Sequence, residues 1–129
     1  MVFIKILYNF ASKLIKSMEI YFKNKKLEKL CNNPVKLVKA MGAERAEKIQ
    51  QRLDDMDSAS TLEDTRNLPG HYHELIGDRK GQWACDLDQP YRLVFEPTEK
   101  PIPTDDNGKY IWSTITIIDI VEITNYHGK

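Results

Sequence analysis

Residues 71–96 read HYHELIGDRKGQWACDLDQPYRLVFE, and this stretch decides the fold. Tyr72–Leu75, Gln82–Leu87 and Tyr91–Glu96 are three short runs with strand character. Gly77-Asp78-Arg79-Lys80-Gly81 separates the first two, and Asp88-Gln89-Pro90 the second and third. Glycine, proline and aspartate favour tight reversals, so these runs predict strands joined by turns. Alternate strand side chains point to opposite faces, so each run buries one face and leaves the other polar.

On the C-terminal side, residues 97–109 hold three prolines and Asp105-Asp106-Asn107-Gly108, which predicts a loop or extended hairpin tip. Tyr110–Ile123 is a β-branched run that predicts a final strand. On the N-terminal side, residues 57–70 read as a polar connection closing with Leu68-Pro69-Gly70. Before it, Val35, Val38, Met41, Ala46, Ile49, Leu53 and Met56 recur at helical spacing. The pattern predicts one long amphipathic helix over Pro34–Met56, weakened at Gly42 but not ended there. Val38, Ile49 and Leu53 would pack on Trp83, Leu93 and Ile117. Asn24 can cap a short helix over Lys25–Cys31, which Asn32-Asn33-Pro34 breaks. Met18–Phe22 reads as a first strand. The order β-α-α-β-β-β-β predicts an α+β fold, with two N-terminal helices packed on an antiparallel sheet of four to five strands.

The 129 residues fit one domain, read as residues 18–129, with residues 1–17 as an N-terminal extension. Phe3, Leu7, Phe10 and Leu14 in that extension recur at helical spacing, so a basic amphipathic helix on a membrane or partner is its other reading. No apolar run approaches the length of a membrane span. Two cysteines, Cys31 and Cys85, make no disulfide framework and point to a reducing cytoplasm. The net charge is zero, yet residues 1–39 carry nine Lys against two Glu. Any RNA contact must therefore use local clusters rather than overall charge. The candidates are Lys23 and Lys26 in the basic third, and Arg79 and Lys80 in the glycine-flanked turn.

RNA cleavage by side chains alone needs a base for the ribose 2′-OH, an acid for the leaving oxygen and a cation for the phosphorane. Histidine suits the first two roles, because it ionises near neutrality. The planar fork of arginine suits the third. His71, His73, Arg92, Tyr126 and His127 supply that inventory. His71-x-His73 with Cys31, Cys85 and His127 also invites a zinc reading, but the closely spaced ligand pairs of structural zinc sites are missing. No metal or other cofactor is expected.

The stretch Leu68–Trp83, then Tyr91-Arg92-Leu93-Val94-Phe95, then Tyr126-His127, resembles the HigB branch of the RelE/ParE toxin superfamily, the plasmid-maintenance killer proteins. The resemblance runs from Met18 to His127 and is densest over Leu68–Phe95. It implies a microbial-RNase-like fold and metal-independent, ribosome-dependent cleavage of mRNA. It also implies neutralisation by a HigA-type antitoxin with a helix-turn-helix domain, the toxin being a monomer or part of a toxin–antitoxin hetero-oligomer. His73 matches the family's catalytic histidine and Arg92 its phosphate-facing arginine. Tyr126 and His127 match the C-terminal Tyr-His pair. Three features depart from the family: Asn125 stands where related toxins carry Asp, Ile76 where some carry Lys, and residues 97–109 form a longer insertion. The competing expectation is a non-catalytic or degenerate RelE/ParE-like protein that binds an antitoxin or another protein target, such as gyrase.

Overall fold

A computed structural model describes residues 17–125. Nearly all of the N-terminal extension, together with Tyr126 and His127, lies outside the described residues. The fold is α+β. Strand β1 (Glu19–Phe22) leads into helices α1 (Lys25–Cys31), α2 (Pro34–Met41) and α3 (Ala43–Ser58). A 3-10 turn over Leu62–Asn67 then leads to β2 (His73–Glu74), β3 (Trp83–Asp86), β4 (Arg92–Pro97) and β5 (Ile117–Thr124). The sheet order is β1-β5-β4-β3-β2.

The capping signals act as their chemistry requires. The Asn24 and Asn33 side chains accept from the amides of Leu27 and Lys36, and Pro34 opens α2. The long helix, however, is two. Gly42 sits at φ 87°, in the left-handed region, and its amide closes α2 on the Val38 carbonyl. Only glycine enters that region without a steric penalty, so the chain re-aims there and the helical phase restarts. Leu37 is therefore the buried residue of α2, while Val38 is 45% exposed. In α3 the expected face holds: Ala46, Ile49 and Met56 are buried, and Leu53 packs at the margin of the same cluster.

Three strand pairs are antiparallel, whereas β1 pairs with β5 in parallel, Glu19 opposite Ile117 and Phe22 opposite Ile120. No hairpin constrains β1. The chain leaves it through the helices and re-enters the sheet at the opposite edge, so its direction is set by how those helices dock. The expected strand over Tyr110–Ile123 also begins late. Trp112–Thr114 forms a 3-10 turn that buries Trp112, and pairing starts at Ile117. Its phase puts Ile118 and Ile120 inward and leaves Ile117 half-buried.

The core lies between the helices and one sheet face. Ile49, Met56 and Leu37 meet Trp83, Cys85, Leu93, Phe95, Ile118 and Ile120 there. Cys31 and Cys85 belong to it as free thiols. Burial pushes their pKa up to about 11 and about 12, so neither presents a thiolate near neutrality. Both thiols are expected to resist iodoacetamide in the folded protein and to react promptly in denaturant, as mass spectrometry would show. Fast native labelling of Cys85 would contradict the packing.

Candidate active site

The other sheet face carries the polar residues. The register places His73 opposite Ala84 and, two residues further along β3, Asp86 opposite Arg92. Arg92 in turn opposes Thr124, and Val94 opposes Glu122. By strand alternation these side chains all stand on the face away from the helices. Leu75, Ala84 and Val94, with Val121 against them, form an apolar floor on that face.

At one end of the floor four polar side chains converge. Asp86 lies between Arg92 and His71, with its Oδ1 3.6 Å from Arg92 Nη1 and its Oδ2 3.7 Å from His71 Nδ1. Both separations exceed hydrogen-bond length, and Asp86 Oδ1 is buried with no hydrogen-bond partner among the described residues. Among the described residues, the Arg92 guanidinium holds one long hydrogen bond besides, 3.4 Å to the Pro90 carbonyl. A cation and a carboxylate thus face each other without closing a tight pair.

The two histidines stack, with ring centroids 4.2 Å apart and planes 16° from parallel. His73 Nδ1 stands 2.7 Å from the His71 carbonyl oxygen. A carbonyl only accepts, so Nδ1 is the nitrogen that carries the proton. In the neutral ring Nε2 is then the nitrogen that can take a proton, so the fold assigns the tautomer.

The backbone that makes this corner is strained. His71 has φ 52°, and Gly70 before it has φ 121°. Beneath them lies Arg52 of α3, 7% exposed, whose Nε donates to the Asp86 carbonyl at 2.8 Å. The Asp86 amide donates to the Gly70 carbonyl at 2.7 Å. One buried arginine therefore fastens the end of β3, which fastens the Gly70-His71 bend. Arg45 secures the adjoining turn, with Nε 3.0 Å from Asp88 and its guanidinium 3.5 Å above the Tyr91 ring.

Of the residues singled out in the sequence, His71, His73 and Arg92 share this corner. His73 and Arg92 stand on β2 and β4 with β3 between them, not on adjacent strands. Thr124 and Asn125 bring the described chain alongside Arg92, while Tyr126 and His127 lie outside the described residues. Arg79 is tied down, with its Nη2 2.6 Å from Glu122 and its Nη1 donating to Gln82 at 3.0 Å. Lys23 lies 2.7 Å from Glu96. Lys80 is exposed beside the Gly77–Arg79 turn, and Lys26 is exposed on α1 in the helical layer. Trp83 and Trp112 are buried in the core.

Two residues of the corner escaped the sequence reading, and each had a signal. Trp83, Cys85 and Leu87 alternate inward, which leaves Asp86 on the polar face with His73 and Arg92. Arg52 sits three residues after Ile49 and four before Met56, on the apolar face of its helix. Among the described residues, no three His, Cys, Asp or Glu side chains are grouped to hold a metal ion. No helix of the described residues is long and apolar enough to cross a membrane. Compared with known proteins, the chain matches no family model, no curated protein and no solved structure.

Proposed function

We propose that this chain is an endoribonuclease that cleaves mRNA by acid–base chemistry of its own side chains, as the toxin of a HigB-like toxin–antitoxin pair acting at the ribosome in the cytoplasm. The observation that carries the reading is the common face of His73 and Arg92, with the Asp86 carboxylate beside Arg92 on that face. His73, with Nδ1 held by the His71 carbonyl, takes the proton of the ribose 2′-OH on Nε2 as that oxygen attacks phosphorus. Arg92 offsets the charge growing on the phosphorane oxygens. His127, as the resemblance implies, protonates the leaving 5′-oxygen, and Tyr126 positions the nucleotide. The products carry a 2′,3′-cyclic phosphate and a 5′-hydroxyl. Asn125 cannot supply a carboxylate, but Asp86 places one at the same corner, facing Arg92 at 3.6 Å and His71 at 3.7 Å.

The non-catalytic alternative has one observation in its favour. A guanidinium that faces a carboxylate has less to offer a phosphate, so the Asp86–Arg92 approach would serve structure alone. Incubating the purified chain with free and ribosome-bound mRNA separates the two. Cleavage is expected on the ribosome, to survive EDTA, and to follow a bell-shaped pH profile with its maximum near neutrality. Activity lost with chelator and restored by zinc or magnesium would count against the side-chain mechanism. Intact mRNA, together with tight binding to a helix-turn-helix antitoxin, would favour the alternative.

A further inference from the structure

The inward side chains of β1 are only partly covered. β1 is an edge strand of the sheet, and its Ile20 and Phe22 turn toward the helices yet stay partly exposed, as does Leu53 of α3. Together they floor a groove of about 200 Å³ between α1 and α3. That is below the usual range for small-ligand sites, about 300–1,000 Å³, and suits the side chains of a peptide segment instead. Gln50 donates to the Cys31 carbonyl at 2.9 Å, which ties α3 to α1 and fixes the groove between them. Glu28, Asp54 and Asp57 stand along it, and among the described residues no Lys or Arg lines it.

The chain itself carries a segment of complementary character. Residues 1–16, outside the described residues, hold Lys5, Lys13 and Lys16 and no acidic residue. Phe3, Leu7, Phe10 and Leu14 recur there at helical spacing. The segment joins the fold beside the groove. The Met18 amide donates to the Ala59 carbonyl at 2.8 Å, just past the C-terminal end of α3 and close to Asp57. From Asp57 back to Gln50, α3 covers about 10 Å, whereas sixteen residues of helix span about 24 Å. A reversal at Ser17 therefore lays the segment along the whole groove. Lys13 and Lys16 are three residues apart, as are Asp54 and Asp57. Residues three apart share one helix face, so the two pairs can meet in register.

We infer that residues 1–16 dock in this groove of their own chain as an amphipathic helix. Phe10 and Leu14 lie on Ile20, Phe22 and Leu53, and Lys13 and Lys16 meet Asp54 and Asp57. The segment completes the helical layer and covers an edge strand, one of the ways in which sheet edges are protected. Its apolar face is then used within the molecule rather than on a membrane. The groove lies on the helical side of the sheet, away from the face of His73 and Arg92, so the inference stands or falls apart from the ribonuclease reading.

The test places a nitroxide at Ser12→Cys in the ¹⁵N-labelled full chain, about 200° around the helix from Phe10 and so off its apolar face. Cys31 and Cys85 are buried and stay unlabelled. The amides of Ile20, Phe22, Leu53 and Asp54 are expected to broaden, and those of His73 and Glu74, on the opposite edge strand, to stay sharp. Lys13→Glu with Lys16→Glu is expected to weaken docking roughly tenfold, as two exposed ion pairs become two repulsions. Adding Asp54→Lys with Asp57→Lys is expected to restore it. Sharp groove amides in the unreversed chain, or broadening undiminished by the charge reversal, would overturn the inference. Broadening seen only when nitroxide and ¹⁵N are on different chains would make a second copy the occupant and overturn it too. So would a segment that leaves the groove amides sharp and carries the chain onto vesicles of anionic phospholipid.

Discussion

Replacing Arg92 with Ala is expected to lower RNA cleavage on the order of a hundredfold or more, the loss seen when a group that stabilises transition-state charge is removed. The side chain is partly exposed, and its approach to Asp86 is long, so folding changes little: an ion pair of this kind contributes at most about 1 kcal/mol. Arg92→Lys keeps the charge but loses the planar fork, and its rate is expected to fall between wild type and Arg92→Ala. His73→Ala is expected to lose activity on a similar scale, because general acid–base catalysis typically contributes about 10²–10⁴-fold. His127→Ala belongs with them through the family resemblance. The comparison is made by expressing each variant in a bacterial host and scoring growth arrest and mRNA fragments. If His73→Ala and Arg92→Ala arrest growth and cut mRNA like wild type, the assignment of these residues fails.

Gly70→Ala is expected to damage both stability and site. A Cβ there would stand 2.7 Å from Arg52 Nε, closer than such atoms approach, at a φ of 121° that side chains rarely adopt. Strain of this backbone type costs about 1–3 kcal/mol. Arg52 has no easy retreat, because its Nε is bonded to the Asp86 carbonyl inside the protein. Displacing it leaves buried polar groups unpaired, at about 1–3 kcal/mol more. The melting temperature should fall by several degrees. Activity should fall further than the unfolded fraction accounts for, since the same contact sets the bend that carries His71 and His73. A variant with wild-type melting and cleavage would show that Arg52 does not brace this corner.

The meander was legible because its signals are local. The turns at residues 77–81 and 88–90 are written in glycine, proline and aspartate, and the alternation of Trp83, Cys85 and Leu87 marks the inward face. His73 and Arg92 were legible as chemistry but not as neighbours. Their common face depends on β3 lying between β2 and β4 in one register, and a slip of one residue would turn His73 to the other face.

From the sequence alone followed the strand-and-turn order after residue 70, the short helix capped by Asn24 and the start of the next at Pro34, the α+β class and the inventory of groups suited to acid–base chemistry. Each rests on interactions within a few residues of chain, where spacing and side-chain type are sufficient. Tertiary structure alone decided the direction of β1, the corner joining Asp86, Arg92 and His71, the buried brace from Arg52 and the groove between α1 and α3. Those features join residues tens of positions apart. Their geometry comes from how the helices dock on the sheet, and no local pattern of residues encodes that docking. Gly42 stands between the two cases: the residue was visible, but whether it bends a helix or ends one was settled by where Leu37 and Ile49 had to be buried.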